Sequence, residues 1–341
     1  MRLDVEVVPG LPEVTAQTDL AAVVAGCAAR AGVVVGDDDV LVVASKVVAK
    51  AEGRTAPASQ REAVIAAQSV RQVAARTLPD GRVTRVVQTR TGPVLAAAGV
   101  DASDVAAGTV LLLPADPDAS ARRLRARFKA LTGAAPAVLV TDTAGRPWRE
   151  GVTDFALGAA GLTCLHDLRG QLDRSGRTLD VTVRGIADQV AAAADLVKGK
   201  AAGTPVAVVH GLAAHVTRED GVGAVGCVRV GAGDWFAHGH VEAVRASLGV
   251  GPTDIEAPPI VPGEPLRPRL DRAVRVAGHG WAGREVRLDA GVDRVRVIGP
   301  DPVLRGVVAQ RLLSALWAEG LSGELVVAGG EVAVRLVGSA T

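Results

Sequence analysis

The sequence has few aromatic residues and few cysteines, and each shortage excludes a class of protein. With no Tyr, three Phe and four Trp in 341 residues and a net charge of +1, there are few rings for base stacking and no basic field, so nucleic acid is not expected as a partner. The three cysteines, Cys27, Cys164 and Cys227, are widely spaced and form no CxxC pair. This spacing argues against a disulfide framework or a zinc site.

Long apolar runs are also missing. No run reaches about 18 residues, and the N-terminus has no signal-peptide core, so we expect no membrane span and a cytoplasmic protein. The chain is nevertheless 48% hydrophobic and only 22% charged. That composition is typical of a folded protein, and the length favours two globular domains that act on a small ligand.

Lysine is the scarcest basic residue, with only five among 38 Lys and Arg, so its positions are informative. Lys46 and Lys50 lie in "VLVVASKVVAKAEGR", and Lys198 and Lys200 lie in "ADLVKGKAAGTPVAVV". A compact, mobile ammonium often binds phosphate where a rigid guanidinium would not fit. Solvated lysines at the ends of elements are the alternative, but two pairs, each beside a strand pattern, favour a phosphate site.

Hydrophobic periodicity predicts alternating strands and helices through the first 250 residues. One helix is expected to begin at Thr18 or Asp19 and to end at Gly32. The arginines of another, over 116–133, are expected on a solvated face. The pattern predicts strands at 5–8, 39–45, 82–89 and 136–143, and helices at 60–78, 116–133 and 185–197.

The composition changes at residue 251, where six of the 18 prolines fall within 251–268. Such a segment is extended and semi-rigid. The sequence therefore predicts a first domain over 1–250, a linker over 251–268 and a small C-terminal α/β domain over 269–341. In that last domain we expect a strand, then a helix, then a strand or a hairpin.

Carboxylates occur in two apolar settings. Asp101 and Asp104 lie in "AAAGVDASDV", where an acid must be protonated, hydrogen-bonded or paired with a cation. A turn in which Asp101 and Ser103 accept backbone N–H bonds is the alternative.

Asp142 follows an apolar strand beside Thr143. Hard oxygen ligands at two strand ends favour a divalent metal that carries a phosphate chain. Since neither a Walker A sequence nor GxGxxG is present, any nucleotide is bound in another way.

Several motifs together resemble one known family. They include "GLPEV", "VLVVASKVVAKAEGR", "AAAGVDASDV", "VTDTAGRPWREGVTDFALGAAGL" and "ADQVAAAADLVKGKAAGTPVAVVHGL". In this order they resemble the coenzyme F-420:gamma-L-glutamyl ligase family over roughly the first 250 residues. The resemblance implies an α+β fold of antiparallel sheets with packed helices, in a homodimer. It also implies a GTP-dependent enzyme that uses Mg²⁺ or Mn²⁺ and adds L-glutamate to a deazaflavin cofactor through an acyl phosphate.

The resemblance also assigns roles to residues. The expected metal ligands are Asp101, Asp142 and Thr143, and the expected catalytic residues are Asp101, Asp142 and Lys46. The expected nucleotide-binding residues are Leu11, Pro12, Glu13, Val14, Ser45, Lys46, Lys50, Asp104, Lys198, Gly199 and Lys200.

The chain departs from the family pattern at five positions, of which Thr91 and His210 stand where bacterial relatives often show His and Arg. Asp104 stands where the family commonly has Asn and could repel phosphate, Gln189 stands where Glu is usual, and Lys200 replaces a metal-ligating Glu of archaeal members. Two alternatives therefore stay open: a related ligase with a different acid or amine, and a non-catalytic nucleotide-binding homologue. The tail is too short for the flavin-binding domain fused to some relatives, so no FMN is expected.

Overall fold

The computed structural model describes residues 2–77, 80, 82–199, 203–229, 234, 236, 238–251, 260–281 and 285–337. Within these ranges the chain forms sixteen strands and eight α-helices. The strands are β1 Asp4–Val7, β2 Val40–Ala44, β3 Thr55–Pro57, β4 Ser69–Thr77, β5 Val83–Thr89, β6 Val94–Ala96, β7 Thr109–Leu111, β8 Ala137–Arg146, β9 Arg149–Ala160, β10 Leu165–Asp167, β11 Val183–Gly185, β12 Val206–His210, β13 Arg287–Ala290, β14 Arg294–Ile298, β15 Ser322–Ala328 and β16 Glu331–Val337. The helices are α1 Leu20–Ala31, α2 Ser45–Ala51, α3 Arg61–Gln68, α4 Pro117–Thr132, α5 Ile186–Lys198, α6 His240–Ser247, α7 Leu266–Gly278 and α8 Pro302–Ala318. The predicted α+β class is confirmed.

The chain divides into two compact units. The first contains residues 1–64, 91–95 and 99–228, and the second contains residues 65–90, 96–98 and 229–341. The sequence-based division at 250 therefore differs from the observed grouping, since a segment from the middle of the chain belongs to the second unit. The predicted linker lies partly outside the described residues, and α7 begins at Leu266 within its last residues.

The first unit is built on a five-stranded sheet with the strand order β1-β12-β2-β8-β9. Its strands pair antiparallel except β2 and β8, which are parallel. Leu41 and Val43 of β2 pack in a core with α1 and α4, and Val40 and Val42 pack in a core with α5. Because β2 is buried on both faces, its sequence is a continuous apolar run rather than an alternating one.

Helix ends in this unit follow local capping rules. The Asp19 carboxylate accepts the N–H of Ala22 at 3.1 Å, and α1 ends at Gly32 with φ of 73°. This confirms the predicted limits of α1. Similarly, Asp116 caps α4 by accepting the N–H of Ala119 at 2.8 Å. Side-chain caps satisfy N–H groups that the first helical turn leaves unpaired.

The prediction of one helix over 60–78 was wrong. The helix α3 ends at Gln68, and residues 69–77 form β4. β4 pairs antiparallel with β5, from Ser69 opposite Thr89 to Thr77 opposite Val83. A neighbouring strand supplies hydrogen bonds that helical periodicity alone does not reveal, and this pairing overrides a weak helical preference.

Arg125 of α4 corrects the expectation of a solvated arginine face. It is 6% exposed, and its guanidinium donates to the carbonyls of Pro136 and Thr217 at 3.1 and 2.6 Å. It also lies 2.8 Å from the Asp220 carboxylate. A guanidinium has five N–H donors, so a buried arginine can join several loop carbonyls without leaving its charge unpaired.

The second unit contains a fully antiparallel sheet with the order β13-β14-β16-β15. Leu270 of α7 and Leu312 and Leu316 of α8 pack in one core with Val295 and Val334 of this sheet. The predicted helix of the tail is present as α8, and of the two alternatives for the last segment the hairpin is observed, as β15 and β16. The predicted strand is present as two strands, β13 and β14. No helix in the described ranges of either unit is long and apolar enough to cross a membrane.

Candidate functional site

The candidate site lies at the carboxyl end of β2, where the pairing of β2 with β8 stops and β8 continues to Arg146. Because these strands are parallel, with Ala44 opposite Thr141, their carboxyl ends meet at the same edge of the sheet. The helix α2 begins at Ser45 directly after β2. This topology brings the start of α2, with Lys46, to the edge where Asp142 and Thr143 extend β8.

Lys46 contacts the predicted acidic turn, which consists of residues 101–104. Its Nζ lies 2.7 Å from Asp101 Oδ2 and also donates to Ser103 Oγ. The Ser103 N–H donates to Asp101 Oδ1 at 2.9 Å, and the Ser103 hydroxyl donates to Asp101 Oδ2 at 2.8 Å. The two predicted environments of Asp101 are therefore present together: Asp101 accepts a backbone N–H and also pairs with a cation.

These contacts keep Asp101 ionised. Partial burial acts to raise the pKa of Asp101, but the hydrogen bonds from Lys46 and Ser103 and the Lys46 charge outweigh it and lower the pKa to about 2. The backbone of Asp101 is held by two hydrogen bonds with Leu111, at 3.0 and 2.7 Å. The site thus presents a fixed, negatively charged oxygen ligand.

Lys50, one helical turn after Lys46, pairs with two further acids. Its Nζ lies 2.7 Å from Glu13 Oε1 and 3.1 Å from Asp104 Oδ2. The Lys50 side chain is 9% exposed, whereas those of Glu13 and Asp104 are 72% and 66% exposed. Desolvation acts to lower the pKa of Lys50, but the hydrogen bonds that its ammonium donates to Glu13 and Asp104 raise it. Lys50 is therefore a charged ammonium whose acidic partners face solvent.

A second cluster, absent from the sequence-based prediction, is centred on Asp154 of β9. Asp154 Oδ2 accepts from Lys198 Nζ at 2.7 Å and from Thr141 Oγ1 at 2.9 Å, and Asp154 Oδ1 accepts from Thr143 Oγ1 at 2.6 Å. Asp154 is 5% exposed and Lys198 is 3% exposed. Burial acts to raise the pKa of Asp154, but the Lys198 charge and the three hydrogen bonds lower it.

The remaining predicted residues are distributed around this edge. Ser45 and Val14 are buried, at 4% exposure each, and Leu11 packs against the same core as Val14, while Pro12 is exposed. Gly199 follows α5 with φ of 62°, and its N–H donates to Asp195 O at 3.2 Å. Lys200 lies outside the described residues.

Comparison with known proteins shows the family of this chain. The model of the F420-0:gamma-glutamyl ligase family matches residues 10–211. The chain belongs to this family. It is similar to the coenzyme F420:L-glutamate ligases of Methanopyrus kandleri, with 39% identity over 64% of this chain and 91% of that protein, and of Archaeoglobus fulgidus, with 40% identity over 62% and 89%. It is also 42% identical to the coenzyme F420:L-glutamate ligase of Halobacterium salinarum, over 60% of this chain and 85% of that protein.

Two positions at which this gamma-glutamyl ligase departs from the family pattern have partners in the structure. Asp104 has a positive φ of 57°, and its carboxylate is balanced by Lys50 rather than left as an uncompensated negative charge. Gln189 accepts from Arg184 at 3.1 Å, while the neighbouring Asp188 accepts the N–H of Ala156 at 2.9 Å. Both substitutions are therefore accommodated locally.

Asp154 is the residue that sequence reasoning missed in this ligase. It lies directly before the apolar run "FALGAAGL", so the argument applied to Asp101 applies equally: an acid among apolar neighbours needs a partner. Thr141 and Thr143 are two residues apart on β8 and share one face of the strand. That spacing, together with the isolated acid, is a signal in the sequence for this cluster.

The residues of this edge fit a divalent cation by their chemistry. Asp101, Asp142 and Thr143 offer only oxygen atoms, which Mg²⁺ and Mn²⁺ prefer. The Asp101 side chain is 44% exposed, and Thr143 donates its hydroxyl hydrogen to Asp154. Within the described ranges no three His, Cys, Asp or Glu side chains are grouped to hold a metal.

Proposed function

We propose that the protein is a GTP-dependent ligase that joins L-glutamate to the deazaflavin coenzyme F420-0 through a gamma-glutamyl amide bond. The family membership supports the ligase class. The observation that carries the proposal is the ion pair of Lys46 with the ionised Asp101. Lys46 lies just after β2, where the pairing of β2 with β8 stops. The Lys46 ammonium can pair with the phosphates of a metal–nucleotide complex, and the Asp101 carboxylate can pair with its metal ion.

In this mechanism the carboxylate of the deazaflavin substrate attacks the γ-phosphorus of GTP, which releases GDP and forms an acyl phosphate. The amine of L-glutamate then attacks the acyl carbon, phosphate leaves, and the amine loses a proton as the amide forms. Negative charge accumulates on phosphate oxygens in both steps. Fixed cations at those oxygens are the main source of catalysis in such transfers.

Lys46 and Lys50 supply this positive charge. In the free protein each ammonium pairs with acids that are substantially exposed: Asp101 for Lys46, and Glu13 and Asp104 for Lys50. Because these acids face solvent, they can leave the lysines at little cost, although the Lys50 side chain itself is only 9% exposed. When GTP binds, the ammonium groups can therefore exchange these partners for phosphate oxygens without leaving a buried charge unpaired.

Asp101, Asp142 and Thr143 would hold Mg²⁺ or Mn²⁺, which supplies neutralising charge beside the phosphates when bound. Asp154 fixes Thr143 by accepting its hydroxyl at 2.6 Å. Lys198 is tied to Asp154 inside the protein, so it acts on the site by holding this cluster. Leu11, Pro12, Glu13 and Val14, together with Ser45 and the segment from Gly199 through Lys200, are the proposed remaining nucleotide contacts.

The protein is further proposed to act as a homodimer. Exposed apolar side chains along the hairpin formed by β10, β11 and the residues between them support this, since Leu172 is 67% exposed and Val181 is 81% exposed. Apolar residues in such positions are typical of surfaces that contact another chain.

Mass spectrometry tests the reaction. The purified protein is incubated with glutamate-free coenzyme F420-0, L-glutamate, GTP and Mn²⁺, alongside a metal-free control and a control with ATP in place of GTP. We expect a GTP- and metal-dependent mass increase of one or more glutamyl units. No increase, in an assay where a known ligase of the family is active, would contradict the proposal; turnover with another acid only would indicate an altered substrate.

A further inference from the structure

The β8–β9 hairpin ends in an exposed tryptophan. Arg146 pairs with Arg149 across a two-residue turn of Pro147 and Trp148. The Trp148 side chain is 94% exposed, and its backbone has a φ of 55°. The sequence contains only four Trp and three Phe, and no Tyr, so an aromatic ring placed at a hairpin tip is unusual for this chain.

The local structure does not require this tryptophan. Proline at the first central position and a positive φ at the second match a type II turn, in which glycine is favoured at the second position. A bulky side chain with a positive φ strains the backbone. Since Trp148 is almost fully exposed, it does not repay that strain by packing inside the chain. The ring therefore serves a contact outside the chain.

The position of the tip relates it to the candidate site. Asp142 and Thr143 lie on the same strand β8, and Asp154 lies opposite on β9. At about 3.3 Å per residue, the tip is roughly 15 Å from Asp142 along the strand. A long substrate with a planar ring at one end and a carboxylate at the other can span this distance. The exposed guanidinium groups of Arg146 and Arg149 flank the ring and suit an anionic substrate.

We propose that Trp148 is a stacking platform for the planar deazaflavin ring of the acceptor substrate. This inference rests on the proposed function, because it concerns the substrate of the same site. A second copy of the chain is the competing occupant. Around the tip, however, the exposed apolar side chains are Pro147, Trp148 and Val152, far fewer than the roughly 20–30 residues per partner of a stable protein interface.

Direct binding of glutamate-free deazaflavin substrate tests the proposal in Trp148→Gly and Trp148→Phe. Glycine relaxes the turn, so the melting temperature should not fall, but the ring is lost and the Kd for the deazaflavin should rise at least about tenfold. Phenylalanine keeps a ring and should retain most of the affinity. The affinity for GTP should be unchanged in both variants. Trp317→Leu, which changes another exposed tryptophan at 60% exposure, should leave both affinities unchanged.

The outcomes separate this inference from the proposed function. If the wild type binds the deazaflavin and Trp148→Gly binds it equally well, the stacking role is wrong while the ligase proposal stands. If Trp148→Gly changes only the sedimentation coefficient, the tip contacts a second copy and the inference is overturned. A wild type that binds GTP but not the deazaflavin overturns both proposals.

Discussion

Each unit of this protein contains a group of paired charges, and the two groups differ in exposure. In the first unit the edge cluster consists of Lys46, Lys50, Asp101, Asp104 and Glu13. In the second unit the buried network consists of Arg245, Arg272, Glu264 and Glu319. The Lys46 and Asp101 side chains are 32% and 44% exposed, whereas those of Arg272 and Glu319 are 2% and 1% exposed.

This difference separates a binding site from a structural element. Arg272 donates to both oxygens of Glu319 and also to Glu264, and Arg245 donates to Glu319 at 2.8 Å. Burial acts to lower the pKa of Arg272, but its two acidic partners raise it. Charges buried in this way cannot leave their partners without a large desolvation penalty. In the edge cluster the acids are exposed, so its lysines can exchange them for a ligand, and a binding site needs that property.

The largest effect is expected for Glu319→Ala. It removes the buried carboxylate that Arg245 and Arg272 share, so the free energy of unfolding should fall by about 3–5 kcal/mol. Urea unfolding followed by circular dichroism measures this. The matched control is Glu324→Ala, which breaks an exposed pair with Arg335 and should cost less than about 1 kcal/mol. Equal losses in the two variants would remove the distinction between buried and exposed pairs.

Asp101→Asn tests the edge cluster, whose charges are expected to matter for activity more than for folding. It removes a ligand charge and almost no volume, so the fold should persist while metal-dependent ligation falls by on the order of 10²–10³-fold. The rate of glutamyl transfer measures the effect, and the melting temperature verifies folding. The control is Asp38→Asn, because Asp38 is exposed in the same unit and should leave the rate unchanged. Full activity of Asp101→Asn would refute the metal assignment.

Asp154→Asn shows whether the second cluster of the first unit behaves like the buried network. It leaves the buried Lys198 ammonium without a counter-charge, so unfolding should become easier by about 3 kcal/mol. Adding Lys198→Met should recover part of that loss, because the unpaired charge is then removed. If the double variant is less stable by the sum of the two single effects, the residues do not act as an ion pair.

Acid should weaken the edge cluster in a defined range. Because the folded-state pKa of Asp101 is lowered from 3.8 to about 2, its ionised form stabilises the fold above about pH 4. That contribution is lost as the pH falls towards 2. The difference in unfolding free energy between wild type and Asp101→Asn should therefore shrink between pH 4 and pH 2. A difference that stays constant over this range would argue against the Lys46 pair.

The smallest effect is expected for Asp104→Asn. Asparagine removes one of the two carboxylates that pair with Lys50, so the ammonium becomes more available to phosphate. The pair is exposed on the acid side, and we expect GTP to bind only about two- to fivefold more tightly. Calorimetric titration with GTP measures this. Weaker binding would instead mean that Asp104 itself supports the nucleotide site.

Much of the fold could be predicted because its signals are local. Asp19 and Gly32 mark the ends of α1 through contacts within a few residues, and the apolar run of β2 reflects burial on both faces. The long helix predicted over 60–78 failed because β4 depends on β5, a partner that helical periodicity does not take into account. For the site, the sequence predicted that the acids of the turn need a cation and that the lysines belong to the site. It did not single out Asp154.

By itself, the amino-acid sequence determined the family and the helix ends that side chains cap. It also determined the lysines and the acids that together make up the edge cluster. Only the tertiary structure decided which charges meet. Lys46 and Asp101 are 55 positions apart, and Lys198 and Asp154 are 44 apart, so their pairing depends on the loops and on the register of β2, β8 and β9. The same holds for Arg125, whose burial follows from loop carbonyls about 90 residues later in the chain. A cap is set by neighbouring backbone atoms, but an ion pair between distant residues forms only when the sheet has assembled.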